Sequence, residues 1–153
     1  MVLYEDTRQQ PGKHENIRMW CDIHGIRIIR QALNVGDYQI AGKGDISVDT
    51  KQNVMELAGN VFQEHERFRA ECLRAKECGI RLIVLVEETL PGGRLDSWRP
   101  PIGWNGQPVA RFDPATLRKA MITMQQEYGV RFRLCDRRNT GRYMIEYLKG
   151  ERK

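Results

Sequence analysis

Two aspartates and one lysine in the first third of the chain have a spacing that suits phosphate chemistry. Asp49 and Lys51 lie two residues apart in the segment DISVDTKQ, whose β-branched residues predict a strand. Successive side chains of a strand point to opposite faces, so these two share one face, with Cα atoms about 6.6 Å apart. Asp37 follows Gly36 at the start of the preceding predicted strand, and Gly36 can adopt a turn conformation. A hairpin would bring both aspartates to one point.

Two converging carboxylates repel each other unless a cation lies between them. Mg²⁺ prefers oxygen ligands and commonly takes one or two carboxylates, with its other positions left to water and substrate phosphates. Such a metal polarises a phosphoryl oxygen and acidifies the attacking water, while a nearby lysine holds that water or neutralises developing charge. The spacing D-x11-D-x-K therefore predicts a metal-dependent nuclease of the general PD-(D/E)xK pattern. The alternative is a set of surface ion pairs on an edge strand.

These residues belong to a chain of alternating strands and helices. VLYEDT predicts a first strand and a helix then runs to Gly25; three strands follow as a meander or hairpin, in IRIIRQAL, DYQIA and DISVDTKQ. One long or broken helix occupies residues 54–79, and IRLIVLVEE predicts a strand buried on both faces. A helix after Asp113, the half-exposed strand VRFRLC and a last helix ending at Gly150 complete the chain. The fold class is α/β, a single three-layer domain over residues 1–153 with a central mixed β-sheet flanked by helices.

Residues 89–112 predict a long loop, because they carry four of the six prolines together with four glycines. Long loops in compact domains are often functional. We expect its arginines to neutralise phosphates and one of its tryptophans to stack on an unpaired base, the residues being Arg94, Arg99, Arg111, Trp98 and Trp104. The alternative is that the tryptophans anchor the loop to the domain while the arginines are merely solvated.

Composition excludes some classes of protein and favours others. With 41% apolar and 29% charged residues and no apolar run near the ~20 residues of a membrane span, no membrane association is expected. The first residues carry no export signal and the four cysteines show no disulfide framework, so a cytoplasmic protein is predicted. The net charge of +5 favours a polyanionic partner. Cys21-x2-His24 has no matching pair for zinc, and no nucleotide cofactor is predicted.

Four segments occur in an order typical of one nuclease family. They are EDTRQ, LNVGDYQI, ISVDTKQNVMEL and HERFRAEC. In these segments the chain resembles the nuclease domain of the XPF-type structure-specific endonucleases, over about residues 2–88 with a continuation to the end. The resemblance implies a restriction-endonuclease-like core in a stand-alone version. It also implies a DNA endonuclease that uses Mg²⁺ or Mn²⁺. The expected substrate is branched or flapped DNA in repair or recombination.

The resemblance also assigns roles to residues. Asp37 and Asp49 are implied as metal ligands, Thr50 belongs to the predicted metal set, and Asp6 lies near the metal with Lys51 beside the water. The predicted DNA-binding residues are Arg8, Arg67, Arg94, Arg99, Trp98 and Trp104. For Arg67 two interpretations stay open, a bidentate contact to the scissile phosphate or a structural pair with Glu56.

Departures from the family pattern keep a second function open. Asp49 and Thr50 stand where the family has Glu and Arg, and Glu56 comes five residues after the lysine where four are expected. The alternative function is a non-catalytic DNA-binding or scaffolding relative, and an RNA-directed or restriction-type enzyme is a third. A bacterial or phage enzyme is expected. A homodimer is predicted through the late helices, from the apolar residues Met121, Met124, Tyr143, Tyr147 and Leu148, for which core packing is the alternative.

Overall fold

A computed structural model describes residues 1–109 and 112–153 as an α/β domain. Its strands are β1 (Val2–Glu5), β2 (Arg27–Arg30), β3 (Tyr38–Ile40), β4 (Lys43–Lys51), β5 (Arg81–Val86) and β6 (Arg131–Leu134). Its helices are α1 (Glu15–Ile23), α2 (Val54–Phe62), α3 (His65–Glu77), α4 (Pro114–Tyr128) and α5 (Thr140–Lys149). The predicted fold class is confirmed, with each predicted strand and helix present.

The six strands form one mixed sheet in the order β2-β1-β3-β4-β5-β6. β3 pairs antiparallel with both β1 and β4, whereas β4, β5 and β6 run parallel. The predicted hairpin is therefore β3 with β4, and the side chains that follow Gly36 come beside the end of β4. The carboxyl end of β4 is the edge of the sheet at which the site forms.

Helices cover both faces of the sheet. α1 and α5 pack on one face around Leu3, Val48, Leu85 and Met144, and α2, α3 and α4 pack on the other around Leu57, Phe68, Val84 and Leu117. Each face of β5 is buried in one of these cores, as its continuous apolar run predicts. Among the described residues, no helix combines the length and apolar content needed to cross a bilayer.

One expectation about connectivity was wrong, and of the two alternatives for residues 54–79 the broken helix is the one present. The meander is wrong for β2, because this strand pairs parallel with β1 at the edge of the sheet and does not touch β3. The long helix of residues 54–79 is broken at Gln63 and Glu64, whose amides both donate to the carbonyl of Gly59. The break carries neither proline nor glycine, so the sequence gives no local signal for it.

The apolar residues that led to the homodimer prediction are largely core residues. Met124, Tyr147 and Leu148 are at most 6% exposed, and Met121 and Tyr143 are half-buried against the two cores. Core packing therefore explains these positions without a partner.

Candidate active site

One cleft of about 830 Å³ opens at the carboxyl end of β4, between the turn before β3 and helices α2 and α3. Its walls include seven of the residues predicted from sequence, namely Asp6, Arg8, Asp37, Asp49, Thr50, Lys51 and Arg67. These residues come from four separate segments of the chain. The fold therefore brings these polar residues together, although their spacing in the sequence predicted the proximity of only some of them.

Asp49 and Lys51 form a buried ion pair on the cleft face of β4. The Nζ atom of Lys51 lies 2.8 Å from Oδ2 of Asp49, and both side chains are less than a tenth exposed. Within the described residues, the ammonium of Lys51 is the one polar group in contact with Oδ2 of Asp49, which accepts no hydrogen bond from any backbone amide or other side chain. A buried carboxylate needs a positive partner, and because Oδ2 of Asp49 has only the Lys51 ammonium, the Asp49 carboxylate is suited to bind a further cation.

Lys51 stays charged despite its burial. Burial lowers the pKa of its ammonium group, but the Asp49 and Asp37 carboxylates outweigh that effect and raise the pKa above its usual range. Lys51 is therefore a permanent cation at neutral pH, suited to stabilise negative charge and unsuited to accept a proton.

Asp37 is held by its own backbone and by Thr50. Its amide donates to the carbonyl of Val48 and its carbonyl accepts from the amide of Asp6, each at 2.8 Å. Oδ2 of Asp37 accepts from both the amide and the hydroxyl of Thr50, also at 2.8 Å. Oδ1 makes no hydrogen bond within the described part of the chain, so it is the oxygen left for the cleft.

Gly36 makes this approach possible, as the sequence predicts. Its φ is +70°, and a Cβ there would lie 2.3 Å from Oγ of Ser47 and 3.1 Å from the carbonyl oxygen of Val48. No residue with a side chain fits a left-handed turn packed so closely on β4.

The two carboxylates are near enough to oppose each other's ionisation. Burial and the charge of Asp49 raise the pKa of Asp37 to about 8, against the lowering effects of Lys51 and Thr50. A divalent cation between them would remove this penalty.

In metal-free protein, we expect thermal stability to fall as pH rises from about 5 to about 8. The native pKa of Asp37 lies above its usual value, so in this range the folded chain keeps a proton that the unfolded chain has already released, and this group's penalty grows until pH passes the native pKa. Melting curves in chelator should show a fall of several degrees, since 1 kcal/mol corresponds to about 2–4 °C in a domain of this size. Asp37→Asn should abolish the fall. The same slope in wild type and variant would contradict this assignment.

The donor set fits a magnesium-like ion and does not fit a closed structural metal site. Within residues 1–109 and 112–153, no three His, Cys, Asp or Glu side chains are grouped closely enough to bind one ion. Of the carboxylates that line the cleft, Asp37 and Asp49 are close enough to affect each other's ionisation. Mg²⁺ or Mn²⁺ bound by two carboxylates keeps positions for water and phosphate oxygens. Cys21 is buried, whereas His24 is exposed and stacks on Trp20 with ring centroids 3.8 Å apart, so these residues do not form half of a zinc site.

The hydroxyl of Thr50 does not have the role predicted for it. β4 directs this side chain to the sheet face opposite Asp49, where it donates to Asp37 and meets Nε2 of both Gln9 and His14. As a side chain, Thr50 therefore supports a carboxylate and is not placed as a metal ligand.

Asp6 and Arg8 line the cleft and bind each other. The buried carboxylate of Asp6 accepts from Nε of Arg8 at 2.7 Å and from the amide of Leu33 at 2.9 Å. Arg8 also donates to the carbonyl of Leu33, and 58% of its side chain stays exposed. Asp6 thus fixes Arg8 at the rim of the cleft, where the guanidinium can meet a phosphate.

Arg67 is free to contact a ligand, since 80% of its side chain is exposed and its ion pair, with Glu64, is loose at 3.6 Å. Glu56 is bound elsewhere, by the ammonium of Lys13 and by the amide of Gln52 at the start of α2. The structural pair between Arg67 and Glu56 is therefore absent, which leaves the phosphate contact as the remaining interpretation.

The described residues of the long loop, 89–109 and 112, do not line this cleft. Trp98 is only 4% exposed and stacks on Phe112 with ring planes 7° apart, so the prediction that it stacks on a base was wrong and the anchoring alternative holds. Arg99 donates to two carbonyls of its own loop, and Arg94 pairs with Asp96 at 3.0 Å. Both remain exposed and able to meet phosphates. Arg111, the third arginine of that prediction, lies outside the described residues.

Trp104 is the exception in the loop. It lies at the tip of a small turn closed by a bridge between Ile102 and Pro108 and by the amide of Gly103, which donates to Gln107. The indole is fully exposed and Ile102 is 64% exposed. This tip presents an aromatic face to solvent.

Sequence reasoning did not find Gln9, His14 or Glu87, which form a buried polar group behind Thr50. His14 and Thr50 are 36 residues apart, and none of the three belongs to a recognisable spacing. The one available signal was Thr50, which stands where the XPF-type family has arginine, since a smaller side chain leaves space for neighbouring side chains.

Comparison with known proteins agrees with this architecture. Residues 6–147 match the family model described as the ERCC4 domain. The fold is similar to XPF from Aeropyrum pernix, with a TM-score of 0.68 and 20% identity, and to XPF from Aeropyrum pernix in complex with DNA, with a TM-score of 0.69 and 19% identity. The matches cover 99% and 98% of this chain but only 65% and 64% of those chains. No curated protein sequence matches this chain.

Proposed function

Because this chain belongs to the ERCC4 domain family, we propose that it is a metal-dependent DNA endonuclease whose active site is the cleft at the end of β4. The observation that carries the proposal is the pair of carboxylates in that cleft. Thr50 holds one oxygen of Asp37 and leaves the other without a hydrogen bond among the described residues, and Asp49 is buried with the Lys51 ammonium as the partner of its Oδ2. Their mutual repulsion, which raises the pKa of Asp37, is what a bound divalent cation relieves.

We assign separate roles in phosphodiester hydrolysis to Asp37, Asp49 and Lys51. Asp37 and Asp49 would hold Mg²⁺ or Mn²⁺, which when bound supplies Lewis-acid polarisation and an acidified water. Lys51 supplies fixed positive charge beside Asp49, aimed at the negative charge that develops on the phosphate. Its raised pKa excludes it as the general base at neutral pH.

Positive residues at the rim would hold the DNA backbone. Arg8 and Arg67 line the cleft and are mostly exposed, and Arg74 belongs to the same wall. Arginine suits phosphate because its planar guanidinium donates two parallel hydrogen bonds. We propose branched or flapped DNA in repair or recombination as the substrate.

A cleavage panel tests the proposal. Wild-type protein is incubated with Mg²⁺ or Mn²⁺ and labelled flap, fork, four-way and linear DNAs, beside the same reactions in chelator. We expect metal-dependent cuts near the branch of at least one substrate. No cleavage of any DNA in either metal would contradict the proposal.

The second candidate function is a non-catalytic DNA-binding relative, favoured by Thr50 at a position where the family has arginine and by the structural use of Glu56. Such a protein would retain DNA binding but would show no affinity for Mn²⁺. Calorimetry beside a DNA-binding assay separates the two.

We further propose a homodimer formed through helices α2, α3 and α4. A groove bordered by α2, α3 and α4 is lined in part by Phe62, Met124 and Tyr128. Each of these helices also carries one apolar side chain that is about 40% exposed, namely Phe62, Leu73 and Ile122. Exposed apolar surface of this kind favours association. A monomer mass in light scattering at tens of micromolar protein would contradict it.

Trp104→Ala is expected to weaken binding to DNA with unpaired bases by about 1–3 kcal/mol, roughly 5- to 150-fold in Kd. The melting temperature should not change, because the indole touches solvent on all sides. Trp98→Ala is the matched control and should act in the opposite way, lowering the melting temperature through loss of core packing. Fluorescence anisotropy with flap DNA provides the measurement. Unchanged affinity in Trp104→Ala would show that the tip does not meet a base.

A further inference from the structure

A buried polar group lies behind the cleft, on the sheet face opposite Asp49. At its centre is the hydroxyl of Thr50, which is 2.8 Å from Oδ2 of Asp37, 3.2 Å from Nε2 of Gln9 and 3.1 Å from Nε2 of His14. Thr50 is 1% exposed and His14 is 3% exposed, so no solvent competes for these contacts. The carboxylate of Asp37 is thus tied to residues outside the cleft.

The chemistry of a hydroxyl fixes the direction of these hydrogen bonds. A threonine hydroxyl has one proton to donate and two lone pairs that accept. The amide nitrogen of Gln9 can only donate, so it takes one lone pair. The hydroxyl donates its single proton to Oδ2 of Asp37, so Nε2 of His14 must be the protonated ring nitrogen that donates to the other lone pair. The two donors together prevent the hydroxyl from rotating away.

His14 is itself held in place. It precedes α1, and its Nδ1 lies 3.7 Å from Oε1 of Glu87, the residue after β5. The same Glu87 oxygen accepts from Asn16 at 2.9 Å. Nδ1 of His14 and Oε2 of Glu87 have no hydrogen-bond partner within the described residues, so the ring's defined polar contact is the one with Thr50.

We propose that His14 is a positioning residue for the metal centre: through the Thr50 hydroxyl it locks Oδ2 of Asp37 and keeps Oδ1 directed to the cleft. The proposal rests on the function proposed above. His14 itself would contact neither substrate nor metal. It would act by restricting the rotation of the Asp37 carboxylate in the metal-free protein. Groups that orient a metal ligand in this way typically contribute about 10- to 100-fold in affinity.

Mn²⁺ calorimetry on His14→Leu and His14→Gln tests the proposal. Leucine fills similar volume without an N–H, whereas glutamine places an amide donor at similar reach. We expect His14→Leu to bind Mn²⁺ about tenfold more weakly and His14→Gln to stay within about threefold of wild type. In an Asp37→Asn background, His14→Leu should cause no further loss, because the contact it supports is already altered.

Each result has a defined meaning. Equal affinity of His14→Leu and wild type, or equal losses in both His14 variants, would overturn the inference and leave the proposed function intact. Absence of Mn²⁺ binding to wild type would overturn both. If His14→Leu does not fold, Gln9→Leu removes the other donor to the same hydroxyl; a loss of a few fold is expected there, and no loss overturns the inference.

Discussion

Replacing Asp49 by asparagine is expected to lower the single-turnover rate of DNA cleavage by about a thousandfold. The substitution keeps the side-chain shape but removes the negative charge of a buried carboxylate that is proposed to bind the metal. One preorganised electrostatic group contributes about 10²–10³-fold, and a lost metal ligand belongs at the upper end of that range. Rapid-quench measurement on the best substrate of the panel, at saturating enzyme, gives this rate directly.

Asp49→Asn should also lower the melting temperature in metal-free buffer. Asp49 is the ion-pair partner of buried Lys51, and removing one partner of a buried pair leaves an uncompensated charge. Rates must therefore be measured well below the transition. Asp45→Asn is the matched control, because Asp45 lies on the same strand and is exposed, and it should cleave like wild type. Wild-type cleavage by Asp49→Asn would show that Asp49 is not a ligand.

Lys51→Met is expected to lower the cleavage rate by about a hundredfold or more while Mn²⁺ binding is retained or becomes tighter. Methionine replaces most of the aliphatic stem but carries no charge, so the stabilisation of developing negative charge is lost. The ammonium of Lys51 also competes with a metal for Asp49, and its removal leaves both carboxylates freer to bind a cation. Calorimetry and cleavage on one preparation separate the two effects.

The metal-free Lys51→Met protein should be less stable than wild type, since Asp37 and Asp49 lose the ammonium that partly neutralises them, and Mn²⁺ should restore that stability. Lys43→Met is the control, because Lys43 is an exposed lysine on the same strand. Loss of Mn²⁺ affinity in parallel with the rate would contradict the division of roles between Lys51 and the aspartates.

Much of the site follows from local rules. The alternation of a strand puts Asp49 and Lys51 on one face, and the glycine before Asp37 permits the turn, so both features were predictable from residue spacing. The hairpin of β3 and β4 then brings Asp37 to the end of β4, where Thr50 binds it. These contacts join residues that are close in sequence, which is why they can be predicted from one sequence alone.

Other features depend on contacts that no spacing encodes. Trp98 belongs to the core because Phe112 comes back against it from the far end of the loop. β2 lies at the sheet edge because it pairs with β1 and not with β3, and the residue types of β2 do not indicate which of these two strands it pairs with. The support of Thr50 by His14 joins residues 36 positions apart across a helix start and a strand end. Tertiary packing decided each of these, and the sequence alone left them open.

Titration of Mn²⁺ into metal-free protein by calorimetry tests most directly whether the cleft at the end of β4 is a metal centre. At about pH 8, where the Asp37 carboxylate loses its proton, wild type should bind Mn²⁺, and the double variant Asp37→Asn, Asp49→Asn should show no binding heat while Asp45→Asn binds like wild type. A wild-type protein that takes up no Mn²⁺, or a double variant that binds it with wild-type affinity, would contradict the account.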